Sequence, residues 1–333
     1  MKNKKFIILL LVVILLLTGC TKQLKDENGK IVKNEETGQT LPSNIMCQPT
    51  DKDIRKIYQD TKKSKEEKLA KELEEGKISK DKYNKEIDKL LDINDLPKCS
   101  EFKITSGGYE GLWTTIFIKP LTWVLIKLGE LLRNYGLAII VATMLIRLIL
   151  YPITKKTVKQ SEIMKKIQPE VKKIEAKYKD KNDQQSMAMK SQELMAVYKK
   201  YNINPMSGCL FSFLQIPLFF AFYEALYRLP VLFEDNFLAF NMATTPLSAL
   251  TNGHFYYIIL PLLVLLVTYF SFKANQNNGA SGQEKSMKTM MNVMLVIIVF
   301  TSFQMSTAII LYWITNSGFT ILQNFLVKRS TKW

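Results

Sequence analysis

Apolar residues along the chain gather into five blocks, at Tyr135 to Ile153, Met206 to Leu226, Phe255 to Phe272, Thr289 to Ser302 and Thr307 to Val327. Between Lys288 and Lys328 lie 39 residues without a single Asp, Glu, Lys or Arg. As one helix that stretch would extend ~58 Å, about two bilayer cores. The blocks therefore predict five membrane-crossing helices. Because the fourth is short, the polar break from Ser302 to Thr307 must hold a tight turn.

Outside the blocks the pattern changes. Lys2, Lys4 and Lys5 precede an apolar core from Phe6 to Leu17, then Leu17-Thr18-Gly19-Cys20. This order reads as an export signal, and Cys20 resembles the lipobox cysteine of bacterial lipoproteins. That resemblance implies cleavage before Cys20 and a lipidated, palmitate-bearing N-terminus on the outer face. Residues 21 to 50 read as a solvated tether. From Asp51 to Leu91, sparse apolar residues fit two short amphipathic helices broken around Gly76-Lys77-Ile78-Ser79, with Ser79 as a cap. Over 112 to 132, Trp113, Phe117, Leu121, Val124, Leu125 and Leu128 recur every three to four residues, predicting an amphipathic helix lying along a membrane surface. Between 155 and 202, one stripe (Ile163, Ile167, Val171, Ile174, Tyr178) and a second set (Met189, Leu194, Met195, Val197, Tyr198) predict two antiparallel helices joined at Asp180 to Asp183.

Composition alone, with 47% apolar and 23% charged residues, is ordinary; its segregation argues against a soluble enzyme and excludes fibrous, disulfide-dense or wholly disordered classes. The net charge of +16 is also segregated. Residues 21 to 110 carry 19 basic and 19 acidic side chains, whereas 155 to 200 carry 13 Lys against 6 acids. Cationic segments bordering apolar spans are retained on the cytoplasmic side, so the charge predicts a membrane orientation rather than a specific nucleic-acid partner. With the lipidated end outside, five crossings put the C-terminus inside with Lys328, Arg329 and Lys332. The loop 231 to 254, with Glu234, Asp235 and no Lys or Arg, is then external. Cys47 and Cys99 fall on the oxidising side as candidates to pair, and Cys209 reads as a packing residue.

Arg147 lies inside the first block, where a guanidinium costs about 2.5 to 3.5 kcal/mol on insertion scales. Thr143, four residues earlier, shares its face. Glu224 is the obvious intramembrane acid but lies toward the outer end of the second span, whereas Arg147 lies toward the inner half of the first. Snorkelling to the surface is the other bland account. The favoured reading is an unpaired Arg in a water-filled groove, available to an acidic ligand.

These residues, the basic hairpin, Leu214-Gln215-Ile216-Pro217-Leu218-Phe219-Phe220 in the second span and Leu311-Tyr312-Trp313-Ile314-Thr315-Asn316-Ser317 in the last, resemble the YidC/Oxa/Alb family of membrane protein insertases. The resemblance covers residues 107 to 333, and the lipoprotein start is similar to the Gram-positive form. Together with the readings above it gives an all-α polytopic membrane protein: a signal peptide (1–19) and an extracytoplasmic lipidated tether with short helices (20–106), both read from the residues, and an insertase membrane domain (107–333) containing the cytoplasmic hairpin 155–202, which the resemblance implies; the helices of 51 to 91 lie outside the family pattern. It further implies Arg147 as the groove cation, Thr143 beside it and Trp313 facing it. Gln215 and Asn316 either join this client-binding groove or satisfy neighbouring backbone groups. Nascent membrane proteins are the implied clients. The ribosome, the Sec translocon, the signal-recognition-particle receptor and membrane lipids are the expected partners. The chemistry is binding without bond making, with no catalytic residue, metal or cofactor required. The turn Met305-Ser306-Thr307-Ala308 departs from the Pro and Gly often found there in the family.

A small-solute or ion transporter using Arg147 in its pathway is the alternative, although five spans without an internal repeat favour it less. The Gly279-Ala280-Ser281-Gly282 run is similar to a serine-protease nucleophile motif, but its loop is cytoplasmic by charge while the sole His254 is external.

Overall fold

The computed structural model describes residues 22–179, 181, 183–203, 207–275 and 281–330. The signal segment, Cys20 and the Gly279-Ala280 half of the loop motif lie outside them. In chain order the main helices are α1 (Lys52–Glu74), α2 (Lys80–Ile87), α3 (Lys119–Leu132), α4 (Tyr135–Lys177), α5 (Gln184–Lys200), α6 (Ser207–Tyr227), α7 (Val231–Glu234), α8 (Pro246–Thr251), α9 (Ile259–Asn275), α10 (Ser281–Ser302) and α11 (Thr307–Ser330). A two-stranded antiparallel hairpin pairs Asn236 with Asn241 and Phe237 with Phe240. Helix thus dominates, as the apolar pattern required. The described residues divide into two compact units, one of 22–142, 217–258 and 303–312, the other of 143–216, 259–302 and 313–330.

In the first unit, the Asp51 carboxylate accepts from the N–H groups of Asp53 and Ile54 to start α1. The Ser79 hydroxyl accepts from Lys82 N–H to start α2. Gly76 between them takes φ +69°, a left-handed conformation open to glycine without strain. The expected break and cap are thus both present, although α1 is a long helix of 23 residues.

The tether reading of residues 21 to 50 is corrected. Leu24, Leu41 and Ile45 are buried with Ile54 and Tyr58 of α1, and with Ile93, Phe233 and Ala243. Antiparallel bridges Gln23–Pro42, Lys25–Ile31 and Lys33–Thr40 fold the segment, and the Tyr58 hydroxyl donates to Pro42 O at 2.6 Å. The apolar residues are too sparse to show a period, and their partners lie as far away as residue 243. Cys47 and Cys99 form a disulfide across a separation of 52 residues. Replacing both by Ser is expected to lower the stability of this unit by about 3 kcal/mol, because the unfolded chain regains the freedom the link removes. Limited proteolysis across a urea series checks this; an unchanged midpoint would mean that the packed apolar cluster alone holds the segment.

A π turn, Thr114–Ile118, leads into α3. Its extra residue rotates the expected stripe: Trp113, Leu121 and Leu125 are buried, while Phe117 is 48% exposed. The segment 231–254 is folded. Asp235 accepts from Tyr135 N–H at 2.6 Å. Glu234 accepts from the N–H groups of Thr50 and Asp51, both at 2.8 Å, and burial holds its carboxyl above the usual range against those bonds. At the Ser302 to Thr307 break, Thr307 donates to Thr244 O through both N–H and hydroxyl. Leu247 N–H donates to Phe303 O at 2.9 Å.

In the second unit the first arm of the expected hairpin is not a separate helix. It is the continuation of α4, which runs 43 residues with Pro152 and Pro169 inside it. Ile167 and Val171 pack on Val197 and Ile203, flanked by Ile163, Met164, Ile174, Leu194 and Tyr198. Met189 and Met195, expected on the packed set, are both 47% exposed. Near the turn, Lys177 Nζ and the Tyr178 hydroxyl both donate to Glu193.

Among the described residues, two helical stretches are long and apolar enough to cross a membrane, Tyr135–Lys177 and Phe255–Ala274, and Thr289–Ser302 is a shorter apolar helix. The second and last expected spans are occupied by α6 and α11. Helices α9 and α10 pack side by side and expose Leu262, Leu266, Phe270, Val293, Val296 and Phe300.

Candidate functional site

Three helices of the second unit meet at Arg147. Its Nε donates to Asn316 Oδ1 of α11 at 2.6 Å, and one terminal amine donates to Gln215 Oε1 of α6 at 2.7 Å. The planar fork of a guanidinium suits this, since its donors diverge in fixed directions toward two helices at once. Both acceptors are neutral amides, so these bonds orient the cation without cancelling its charge. The expectation of an Arg without side-chain partners in a water-filled groove is therefore corrected on both counts. Arg147 is only 2% exposed, and Thr143, one turn earlier on the same face, is 1% exposed. A desolvated cation without donors satisfied would be far more costly than one held in this way.

Gln215 and Asn316, which the sequence left between groove and backbone roles, are both side-chain ligands of Arg147. Trp313, expected to face the cation, is half-buried, and its indole N–H donates to Thr268 Oγ1 of α9 at 2.9 Å. It lies three residues before Asn316, so the helix that holds Arg147 is tied to α9 within one turn. Farther along, Gln323 Nε2 of α11 donates to Thr154 Oγ1 of α4 at 2.5 Å. Thr268, Thr154 and Gln323 were not singled out from sequence. Polar residues inside otherwise apolar helices were the signal available.

Glu224 does not serve Arg147. In the first unit it accepts from Arg228 at 3.2 Å and from the Trp113 indole at 3.0 Å. Arg228 also donates to Glu110 at 2.6 Å and to Asn44 O at 2.6 Å. Glu110 pairs on its other oxygen with Lys119 at 3.2 Å, and Lys119 donates to the carbonyls of Ser106 and Gly108. Two cations and two carboxylates thus form a neutral set in which every carboxylate oxygen has a donor; Arg228, Lys119 and Glu224 are buried, while the Glu110 side chain is 33% exposed. Among the described residues, no group of three or more His, Cys, Asp and Glu side chains is placed to hold a metal ion.

Residues 127–332 match the family described as 60Kd inner membrane protein. The membrane protein insertase YidC of Oceanobacillus iheyensis is 34% identical over 245 residues, covering 70% of this chain and 91% of that protein. The YidC insertase of Alkalihalophilus pseudofirmus is 36% identical over 223 residues, or 65% of this chain and 82% of that protein. The insertase MisCA of Bacillus subtilis is 32% identical over 236 residues, or 70% and 86%. Among solved structures, an active YidC insertase with its first transmembrane domain resolved is similar at 23% identity and a TM-score of 0.47; the match covers 68% of this chain and 48% of that one. The chain thus spans about half the length of that solved protein.

Proposed function

Because the chain belongs to the 60Kd inner membrane protein family, and relatives that align with about two thirds of it are named membrane protein insertases, we propose that it is a membrane protein insertase that receives hydrophobic client chains beside Arg147 and releases them sideways into the bilayer. The observation that carries the mechanism is a buried guanidinium held by two neutral amides at the meeting of three helices. A cation desolvated in this way attracts acidic residues of a client's translocated tail more strongly than a solvated one. Gln215 and Trp313, each partly exposed, are the accessible members of the set. The exposed apolar faces of α9 and α10 offer an emerging span a surface resembling lipid.

The membrane arrangement belongs to the same proposal. Five crossings correspond to the start of α4, α6, α9, α10 and α11, with α3 along the surface. A lipidated Cys20 and the folded residues 22–106 that follow it lie outside; the hairpin and C-terminus lie inside. The excess of Lys in 155 to 200 supports docking to a ribosome, and contacts with the Sec translocon or the signal-recognition-particle receptor would use the same face.

Site-specific photocrosslinking during synthesis of a small membrane protein tests the reading. A crosslinking residue replacing Trp313 is expected to yield nascent-chain adducts, whereas one replacing Leu131, exposed on α3, is not. Equal yields from both, together with labelled-solute uptake by proteoliposomes, would replace the insertase by the transporter.

A further inference from the structure

A second polar rung lies one heptad beyond the Arg147 site. Arg147 meets Asn316, and seven residues later on each helix Thr154 meets Gln323. Both numbers rise together, so α4 and α11 run parallel here, with rungs about 10 Å apart at ~1.5 Å per residue. Lys328 lies 3.8 Å from Glu162 farther along in the same sense. Thr154 and Gln323 are each only 2% exposed. The Thr154 hydroxyl donates into its own helix, toward Leu150 O and Tyr151 O at 3.1 and 3.2 Å, leaving a lone pair for the Gln323 amide. On α11, Thr320 Oγ1 donates to Asn316 O and Asn324 Nδ2 donates to Thr320 O. The polar stripe that carries both rungs is thereby bonded back onto its own helix.

Between the rungs α4 contains Pro152. Proline has no N–H to donate to the carbonyl four residues earlier, Leu148 O, and its ring crowds that carbonyl, so α4 is weakened between Arg147 and Thr154. A helix anchored on one side of such a break is free to bend or slip against its neighbour. Anchored on both sides it is not.

We propose that Thr154 and Gln323 are positioning residues for Arg147: the second rung locks the parallel register of α4 and α11 across Pro152, and so keeps the guanidinium where Asn316 and Gln215 hold it. The inference rests on the reading of Arg147 as the cation that attracts a client's acidic tail, and it concerns how that cation is held in place.

The test joins a structural and a functional readout in the full-length protein. Spin labels on Lys156 and Leu326, both exposed and both beyond the second rung, are expected to give a narrow distance distribution in the native background. Gln323→Leu or Thr154→Val should broaden it, and Thr154→Ser, which keeps the hydroxyl, should restore it. In insertion assays at matched protein levels, Gln323→Leu and Thr154→Val should each lower insertion of a client with an acidic tail about fivefold, and the double variant by no more than either single one. A client with a neutral tail should change by less than about twofold. An unchanged distance distribution overturns the proposal whatever the insertion result. So does equal loss for acidic and neutral clients, because mere helix adhesion would affect both alike. If Gln323→Leu does not accumulate, Thr154→Ser and Thr154→Val provide the same comparison, and equal behaviour of these two rejects the rung. A broadened distribution with insertion unchanged for every client, alongside unaffected insertion by Arg147→Ala, would instead remove the underlying reading of Arg147.

Discussion

Arg147→Ala is expected to lower insertion of clients with acidic translocated tails more than about tenfold, equivalent to ~1.4 kcal/mol or more of lost attraction. Arg147→Lys keeps a point charge but loses the divergent donors that reach Gln215 and Asn316 together. It should therefore retain a substantial share of activity on acidic tails. Neutralising the client's tail should narrow the gap between the Arg and Ala forms, because the attraction is no longer used. The measurement is a double-mutant cycle of Arg147 against one acidic residue of the client, read as protease-protected product at matched insertase levels. Equal insertion by the Arg, Lys and Ala forms for every client would reject a role for the charge. Loss of the folded protein in the Ala form alone would recast Arg147 as a structural tie among α4, α6 and α11.

The largest loss of stability should follow Arg228→Ala. Arg228 is 1% exposed; its removal leaves Glu224, which is also buried, and one oxygen of Glu110 without their cation, and frees Asn44 O from its donor. Breaking one side of a buried ion pair costs about 3 to 5 kcal/mol because the remaining charge stays desolvated; here that charge is Glu224, since the Glu110 side chain is 33% exposed. Replacing the buried pair by apolar residues of similar size, Arg228→Met with Glu224→Leu, should recover much of that loss. Thermal unfolding in detergent, followed by protease resistance of residues 22–142, measures both. If the double variant is no more stable than Arg228→Ala, packing rather than stranded charge sets the effect.

What was readable in the sequence follows from the range over which each signal acts. The break at Gly76 to Ser79, the turn from Ser302 to Thr307 and the apolar helices are local: a cap, a left-handed glycine or a run without charge suffices. Arg147 was legible for a different reason, since a cation in an apolar run is expensive wherever its partners are. The resemblance brought Gln215 and Asn316 forward as groove candidates, but that they bond to Arg147 was not legible, because they come from other helices, 68 and 169 residues away. The same distance hid the packing of residues 22–50 against Phe233 and Ala243. Phe117 was misplaced because one π turn shifts a helical stripe without leaving a trace in its spacing. The expectation that Trp313 faces the cation came from family resemblance, whereas the bond of its indole N–H to Thr268 was signalled by nothing in the spacing.

The ionic set around the buried Arg228 also imposes a timetable on the making of the protein. Glu110 and Lys119 emerge from the ribosome long before their partner, since Arg228 lies 118 residues beyond Glu110. At typical elongation rates that is a wait of roughly ten seconds. During that interval the early chain must keep a carboxylate, an ammonium and the Asn44 carbonyl in water, and its sparse apolar residues lack Phe233 and Ala243 to pack against. Completion of the N-terminal unit is therefore a late event in synthesis, gated by arrival of the second apolar helix. Until then, a protein that handles the unfinished chains of others is itself an unfinished chain of the same kind.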